Sequence, residues 1–241
     1  MSRVISSIIC LLLVSGDLAA QRLPETRVRY LSPDGDDWVQ EAEFTMVQRA
    51  DPWEIVSTTG RGKKRLIVQT NYDHEKLLRA AKITLKEEGK KDKSLFLKTQ
   101  NGKTQVFRDG FETQKFMDIP PGVIVTSAPD WSDVFLLSRR YDYAQGGKQI
   151  FMALWAHPDQ PAQLLNLSIE RQGHDTIRHD GKDVKLTRFT IELRGKSQYA
   201  VWATMDGTMV RLIPLPAKEK QRNGLILEGF EKSGAVELTP P

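Results

Sequence analysis

Trp38-Val39-Gln40-Glu41-Ala42-Glu43-Phe44-Thr45-Met46 decides the fold class. Trp38, Ala42, Phe44 and Met46 fall on one parity, while Glu41, Glu43 and Thr45 fall on the other. A period of two is what a strand with one buried face requires, and Gln40 is the one exception on the inner parity. The alternation returns at Phe189, Ile191 and Leu193 against Arg188, Thr190 and Glu192, and again at Tyr199, Val201, Ala203 and Met205. Turn pairs separate such segments. Asn101-Gly102 joins 94–100 to 103–108, Asp180-Gly181 precedes Val184, and Asp206-Gly207 joins 199–205 to 209–215. Each pair tolerates the positive φ of a tight hairpin, and Arg61-Gly62 and Gly89-Lys90 mark looser connections. About ten antiparallel strands are predicted.

Helical spacing is scarce. Over 130–141, Asp130 or Ser132 can cap, Trp131, Phe135 and Leu136 share one side, and Arg139 and Arg140 sit near the negative end of the dipole. A short helix is expected there. Residues 73–81 also permit a helical turn, because Leu77, Leu78 and Ala81 are three and four apart, yet 82–86 alternates as a strand. Asp118-Ile119-Pro120-Pro121-Gly122 and Pro129 interrupt the pattern near the middle, dividing the chain into halves of about 21–118 and 130–217. Either half alone is an open sheet with a bare apolar face. The expected fold is therefore mainly β: one curved antiparallel sheet or incomplete barrel with the short helix on its concave face. The basic stretch Lys218-Glu219-Lys220-Gln221-Arg222 and the final Pro240-Pro241 read as a looser tail over 218–241.

The first twenty residues read as an address. Met1 and Arg3 precede an apolar run over 4–14 broken only by Ser6 and Ser7, and Leu18-Ala19-Ala20 supplies small residues before Gln21. That is the pattern of a secretory signal peptide cleaved near Ala20, with a run too short for the ~20 residues of a bilayer span. No stable transmembrane anchor is expected, and the product should be periplasmic or secreted. Cys10, the only cysteine, lies inside the run, so the mature chain would hold no disulfide, thiolate metal site or thiol nucleophile. Of the 241 residues, 39% are hydrophobic and 27% charged, which fits neither a disordered chain nor a multispan membrane protein. A net charge of +4 is too small and too dispersed to require nucleic acid as a partner.

Thr126-Ser127-Ala128-Pro129-Asp130-Trp131-Ser132-Asp133, then Arg139-Arg140-Tyr141-Asp142 and Leu154-Trp155-Ala156-His157-Pro158, resemble a family of exported bacterial β-rich proteins of unknown function. Tyr199-Ala200-Val201-Trp202, followed by Asp206-Gly207 and Arg211-Leu212, is similar to the last strands of that family. The resemblance spans most of 38–216 and implies no chemical role for any of these residues. The general plan also resembles the periplasmic lipoprotein-carrier half-barrels, in which a curved sheet and helical lid enclose an apolar cavity. That likeness is one of fold, which does not fix function.

Candidate chemistry is sparse. Of four histidines, His174 and His179 lie in one segment, but a spacing of five along a strand sends them to opposite faces, so they cannot share an ion without a bulge. His157, before Pro158 and Asp159, reads as a turn. No metal site or cofactor is expected. A Gly-x-Ser-x-Gly elbow is missing, and Ser127 and Ser138 have no recognisable base beside them. Gly146-Gly147-Lys148 lacks the spacing of a phosphate loop and reads as a hairpin turn. Asp130 and Asp133 would share a helix face as a carboxylate pair, although caps are commoner at such positions. Arg61-Gly62-Lys63-Lys64-Arg65 is the densest basic run and reads as a hairpin tip, with anionic headgroups as a minor alternative. Asn166-Leu167-Ser168 matches a glycan acceptor inside an apolar strand and is read as chance.

The expected function is that of an exported, non-catalytic protein binding an apolar or lipidic ligand, with Trp131, Phe135, Leu136, Trp155 and Trp202 as candidate lining residues. An envelope protein is the other candidate partner. One alternative is a hydrolase-type enzyme using Asp130, Asp133, Arg139, Arg140 and Asp142. Another is a structural envelope subunit pairing through a strand edge. An apolar tunnel on the concave side would favour the carrier, converging charges the enzyme, and a filled core the structural subunit.

Overall fold

A computed structural model describes residues 25–240 apart from 35–36, 49–52, 74, 76, 117–118, 121, 128–131, 194–195 and 216–223. The expected signal segment lies outside the described residues. Eight strands make the first half: β1 (Glu25–Asp34), β2 (Asp37–Gln48), β3 (Trp53–Thr59), β4 (Lys64–Tyr72), β5 (Leu78–Glu87), β6 (Lys93–Gln100), β7 (Lys103–Arg108) and β8 (Phe111–Phe116). The rest holds β9 (Ile124–Thr126), helix α1 (Ser132–Arg140), β10 (Lys148–His157), β11 (Gln160–His179), β12 (Lys182–Leu193), β13 (Lys196–Ala203), β14 (Met209–Pro214) and β15 (Leu225–Leu227).

All fifteen strands belong to one sheet, ordered β8-β7-β6-β5-β4-β3-β2-β1-β15-β14-β13-β12-β11-β10-β9. Asn101-Gly102 and Asp180-Gly181 turn two of its hairpins with positive φ at both residues, as read from the sequence. The two halves run outward from the centre, where β1 pairs with β15, Tyr30 opposite Leu227 and Leu31 opposite Ile226. The segment beyond 218, expected to be a looser tail, thus supplies a central strand. β9 pairs in parallel with β10.

This order forces curvature. Laid flat, fifteen strands would set β8 and β9 roughly 67 Å apart at the usual strand spacing. The chain between Phe116 and Ile124 can bridge at most about 28 Å, so the sheet must curl until its edges approach. Side chains join them where backbone ladders do not. Gln114 donates to Ala162 O (3.3 Å) and accepts from Ala162 N (2.8 Å). Arg108 donates to the carbonyls of Pro158, His157 and Gln160. Lys93 pairs with Asp159 at 2.8 Å. The result is a curved open sheet, an incomplete barrel.

One core fills the concave side, drawn from both halves: Phe44, Val68, Ile83, Leu97, Val106, Leu154, Leu167, Phe189 and Val201 are buried in it. The predicted helix forms as α1 and lies on that face. Val134, Phe135, Leu136 and Leu137 are all buried, and Phe135 stacks on Phe44 with ring centroids 5.0 Å apart. A second, smaller cluster covers the convex side. There Leu31, Ile177, Leu186, Trp202, Val210, Ile213 and Ile226 pack beneath Phe230, Val236 and Leu238 of the C-terminal segment, which ends in a 3-10 turn over Gly234–Glu237.

Several expectations shift for physical reasons. Register slips between Tyr30 and Leu31, leaving Glu41 as an extra residue, a β-bulge that reverses the facing of the strand. Trp38 and Gln40 consequently face the convex cluster, and Ala42 and Phe44 face the core. The exception at Gln40 was the trace of that bulge. Asp73, Glu75 and Leu77 are not helical: the Asp73 carboxylate accepts from Glu75 N and Leu77 N, and β5 starts at Leu78. Strand β13 stops at Ala203, where Asp206 gathers the hydroxyls of Thr204 and Thr208 and leaves Met205 exposed. Gly146-Gly147 turns the chain from α1 into β10 instead of closing a hairpin.

Candidate functional site

Helix α1 positions the charged residues singled out in the sequence. Arg139 and Arg140 occupy its last turn, where the negative end of the dipole favours cations. Arg139 lies over the Phe135 ring at 4.6 Å and donates to Thr208 Oγ1 at 3.0 Å. Arg140 turns the other way, over the Tyr72 ring at 5.3 Å, and donates to the Gly122 carbonyl. Burial lowers the pKa of Arg140. It also raises that of Tyr72, whose hydroxyl accepts from Val125 N. Asp142, past the helix, accepts from Ala144 N and Gln145 N and so shapes the turn into β10. Asp130 lies outside the described residues, and of Asp133 only the backbone is described. The three charges whose side chains are described hold three different structural elements and do not converge.

The loop over 204–208 meets α1 at very short range. Ser138 donates to Gly207 O at 2.8 Å, and a Cβ at Gly207 would lie 2.6 Å from Arg139 Cα. Only glycine allows this approach, and its φ is +80°. Nearby, Tyr30 donates to Met209 O from full burial, which raises its pKa. Burial pushes Asp206 up, but the hydroxyls of Thr204 and Thr208, the Thr208 N–H and Arg139 together leave its pKa below the ordinary value.

The apolar candidates divide between the two sides of the sheet. Phe135 and Leu136 are packed in the concave core. Trp202 is buried in the convex cluster and donates to Asp175 Oδ2 at 2.8 Å, with Arg188 on the same carboxylate at 3.2 Å. Trp155 is half-buried at the end of β10 and stacks on His157. Trp131 lies outside the described residues. No single cavity can therefore be lined by Phe135, Leu136 and Trp202. The other sequence candidates take structural places: His174 meets Thr187 Oγ1, and His179 stacks on Phe230 at 3.9 Å. Among the described residues, no group of three or more His, Cys, Asp or Glu is placed to hold a metal ion. The basic run 61–65 forms the β3–β4 connection, with Arg61 paired to Glu41, Lys63 to Glu88 and Lys64 to Glu87. Among those residues, too, no helix is long and apolar enough to cross a membrane.

A site that sequence reading passed over lies on the convex face of β5, β6 and β7. Phe96 and Phe107, opposite each other across the ladder, form the floor of an open groove of about 420 Å³. Lys82, Lys98, Asp92 and Asp109 stand around it. The rings are 6.3 Å apart, and Phe96 is 41% exposed although its neighbours Leu95 and Leu97 are buried. Parity is the signal that could have found it, since Phe96 takes the solvent parity of an otherwise regular strand.

No family model matches the chain, and no curated protein resembles it in sequence. Solved structures similar to the chain include two proteins of unknown function. A DUF1089 family protein from Pseudomonas aeruginosa is 15% identical with a TM-score of 0.48, the match covering 78% of this chain and 94% of that one. A beta-barrel-like protein of the domain of unknown function DUF1849 from Brucella abortus is 10% identical with a TM-score of 0.43, covering 78% and 89%.

Proposed function

We propose that this is an exported, non-catalytic protein of the cell envelope that binds an apolar or lipidic ligand in the Phe96–Phe107 groove. The carrying observation is the exposed Phe96 ring beside the half-buried Phe107 in an open groove of about 420 Å³, while the described concave side is occupied by α1 and its aromatic contacts. The volume lies within the range of small-molecule sites. Lys82 and Lys98 are balanced by Asp92 and Asp109 around the groove, which suits a ligand that is mainly apolar. Export rests on the charged start, apolar run and small residues of 1–20.

The test is native mass spectrometry of protein purified from an envelope fraction, with and without organic extraction. A stoichiometric lipid, lost in Phe96→Asp, and an N-terminus at Gln21 are expected. Phe135 is unsuitable for this purpose because its substitution opens the core. A protein that carries no lipid and takes up none when it is added overturns the binding reading.

A further inference from the structure

Beyond that reading, we infer that β8 pairs antiparallel with β8 of a second copy of this chain, joining two sheets edge to edge. β8 ends the sheet: among the described strands its backbone ladder runs only to β7, and its Gln114 side chain reaches Ala162 across the seam from the concave side. Its residues Phe111, Glu112, Thr113 and Lys115 are exposed, Phe111 to 77%. Edges of this kind are normally blunted against foreign strands by charges such as Glu112 and Lys115. Read against a reversed copy of itself, Phe111-Glu112-Thr113-Gln114-Lys115-Phe116 sets Phe111 opposite Phe116 and Glu112 opposite Lys115, twice each. The charges that repel other strands then attract.

Geometry allows this register only because of a bulge. A two-fold axis perpendicular to the sheet sets identical strands side by side and keeps each face on its own side, so paired residues must share a face. In a regular strand, Phe111 and Phe116, five apart, would lie on opposite faces. The register with β7 slips at Thr113: Phe107 faces Glu112, while Val106 faces Gln114. Thr113 Oγ1 fills the gap by donating to Val106 O at 3.2 Å. Alternation is thereby shifted by one. Phe111, Gln114 and Phe116 align with Arg108, Val106 and Thr104 on the concave side, and Glu112 and Lys115 align with Phe107 and Gln105 on the convex side. Both cross-copy pairs then share a face, and the aromatic and opposite-charge pairs are those that stabilise antiparallel ladders.

Sedimentation velocity and native mass spectrometry of the purified protein over a concentration series test this. A dimer is expected, with Glu112→Lys or Lys115→Glu weakening it roughly tenfold or more, since each change turns two attractive pairs repulsive. The double variant Glu112→Lys/Lys115→Glu restores opposite signs across the axis and should regain the original affinity. At concentrations where all are monomeric, melting curves of the three variants should lie close to that of the parent, because the substituted side chains are exposed and at most the Gln105 Nε2–Glu112 Oε2 bond is lost. A monomer at every concentration, a dimer indifferent to the single changes, or a double variant as weak as the singles overturns the inference. None of these outcomes depends on whether the groove holds a ligand.

Discussion

Replacing Gly207 by alanine should loosen the attachment of α1 more than any other single methyl added at a turn glycine next to that helix. The added Cβ would stand 2.6 Å from Arg139 Cα and 2.8 Å from Ser138 O, both backbone atoms of the helix. Ordinary contact begins at 3.4 Å, so α1 or the loop must retreat by about 0.8 Å, which strains Ser138 Oγ–Gly207 O and the Phe135–Phe44 stack. Overpacking of this kind costs ~1–3 kcal/mol. The left-handed φ of +80° adds about 1 kcal/mol for a residue with a Cβ. The sum, ~2–4 kcal/mol, lowers the melting temperature of a domain this size by roughly 5–15 °C. Gly181→Ala is the control: its φ is +74° but nothing lies within 4 Å of its Cβ, so it carries the conformational cost alone. Urea and thermal denaturation of both variants measure the difference. Equal losses would refute the close-approach argument.

Burial lowers the pKa of His157, with Lys64, Lys93 and Arg108 adding to the effect and Asp159 opposing it. The unfolded chain therefore takes up its proton first, and this contribution to stability is present above the unfolded value of about 6.5 and is lost as pH falls toward the lower folded value. Denaturation midpoints should fall between pH 7 and pH 5, and His157→Gln should flatten that part of the profile; an unchanged slope would refute the assignment. Gln114→Ala removes both bonds to Ala162, so amide exchange at Ala162 should quicken roughly tenfold, the equivalent of about 1.4 kcal/mol for a lost seam contact. Unchanged exchange would mean that the seam is held elsewhere.

Much of the architecture could be read from parity and turns. Phe189, Ile191 and Leu193 alternate because one face of β12 is core, and Asn101-Gly102 and Asp180-Gly181 adopt the positive φ that their residue types permit. Strands β9 and β15 could not be read, since three residues give no period, and β15 hides between glycines behind a basic run that reads as solvated. β14, expected over 209–215, was legible only from the Asp206-Gly207 turn before it, because burial of Met209 through Ile213 on both faces removes alternation. Those two unread strands are part of the difference between the ten or so expected and the fifteen that the sheet contains. The candidate site was legible only in part. Parity already separates Trp202 from Val201, but with β15 unread nothing indicated that the convex face has a cover of its own, so Trp202 was grouped with concave residues. Arg139 and Arg140 looked like a charge cluster because adjacency in sequence does not show that neighbouring helix positions point toward different strands.

The place of β15 also governs how the molecule can be made. Hairpins build β1 through β8 from contacts between near neighbours as the chain emerges, each strand finding the previous one. The other edge of β1 cannot be satisfied that way, for Tyr30 must wait until Leu227 arrives. Until Leu225–Leu227 arrive, the edge carrying Val28, Tyr30 and Leu31 has no ladder on that side and stands open to foreign strands.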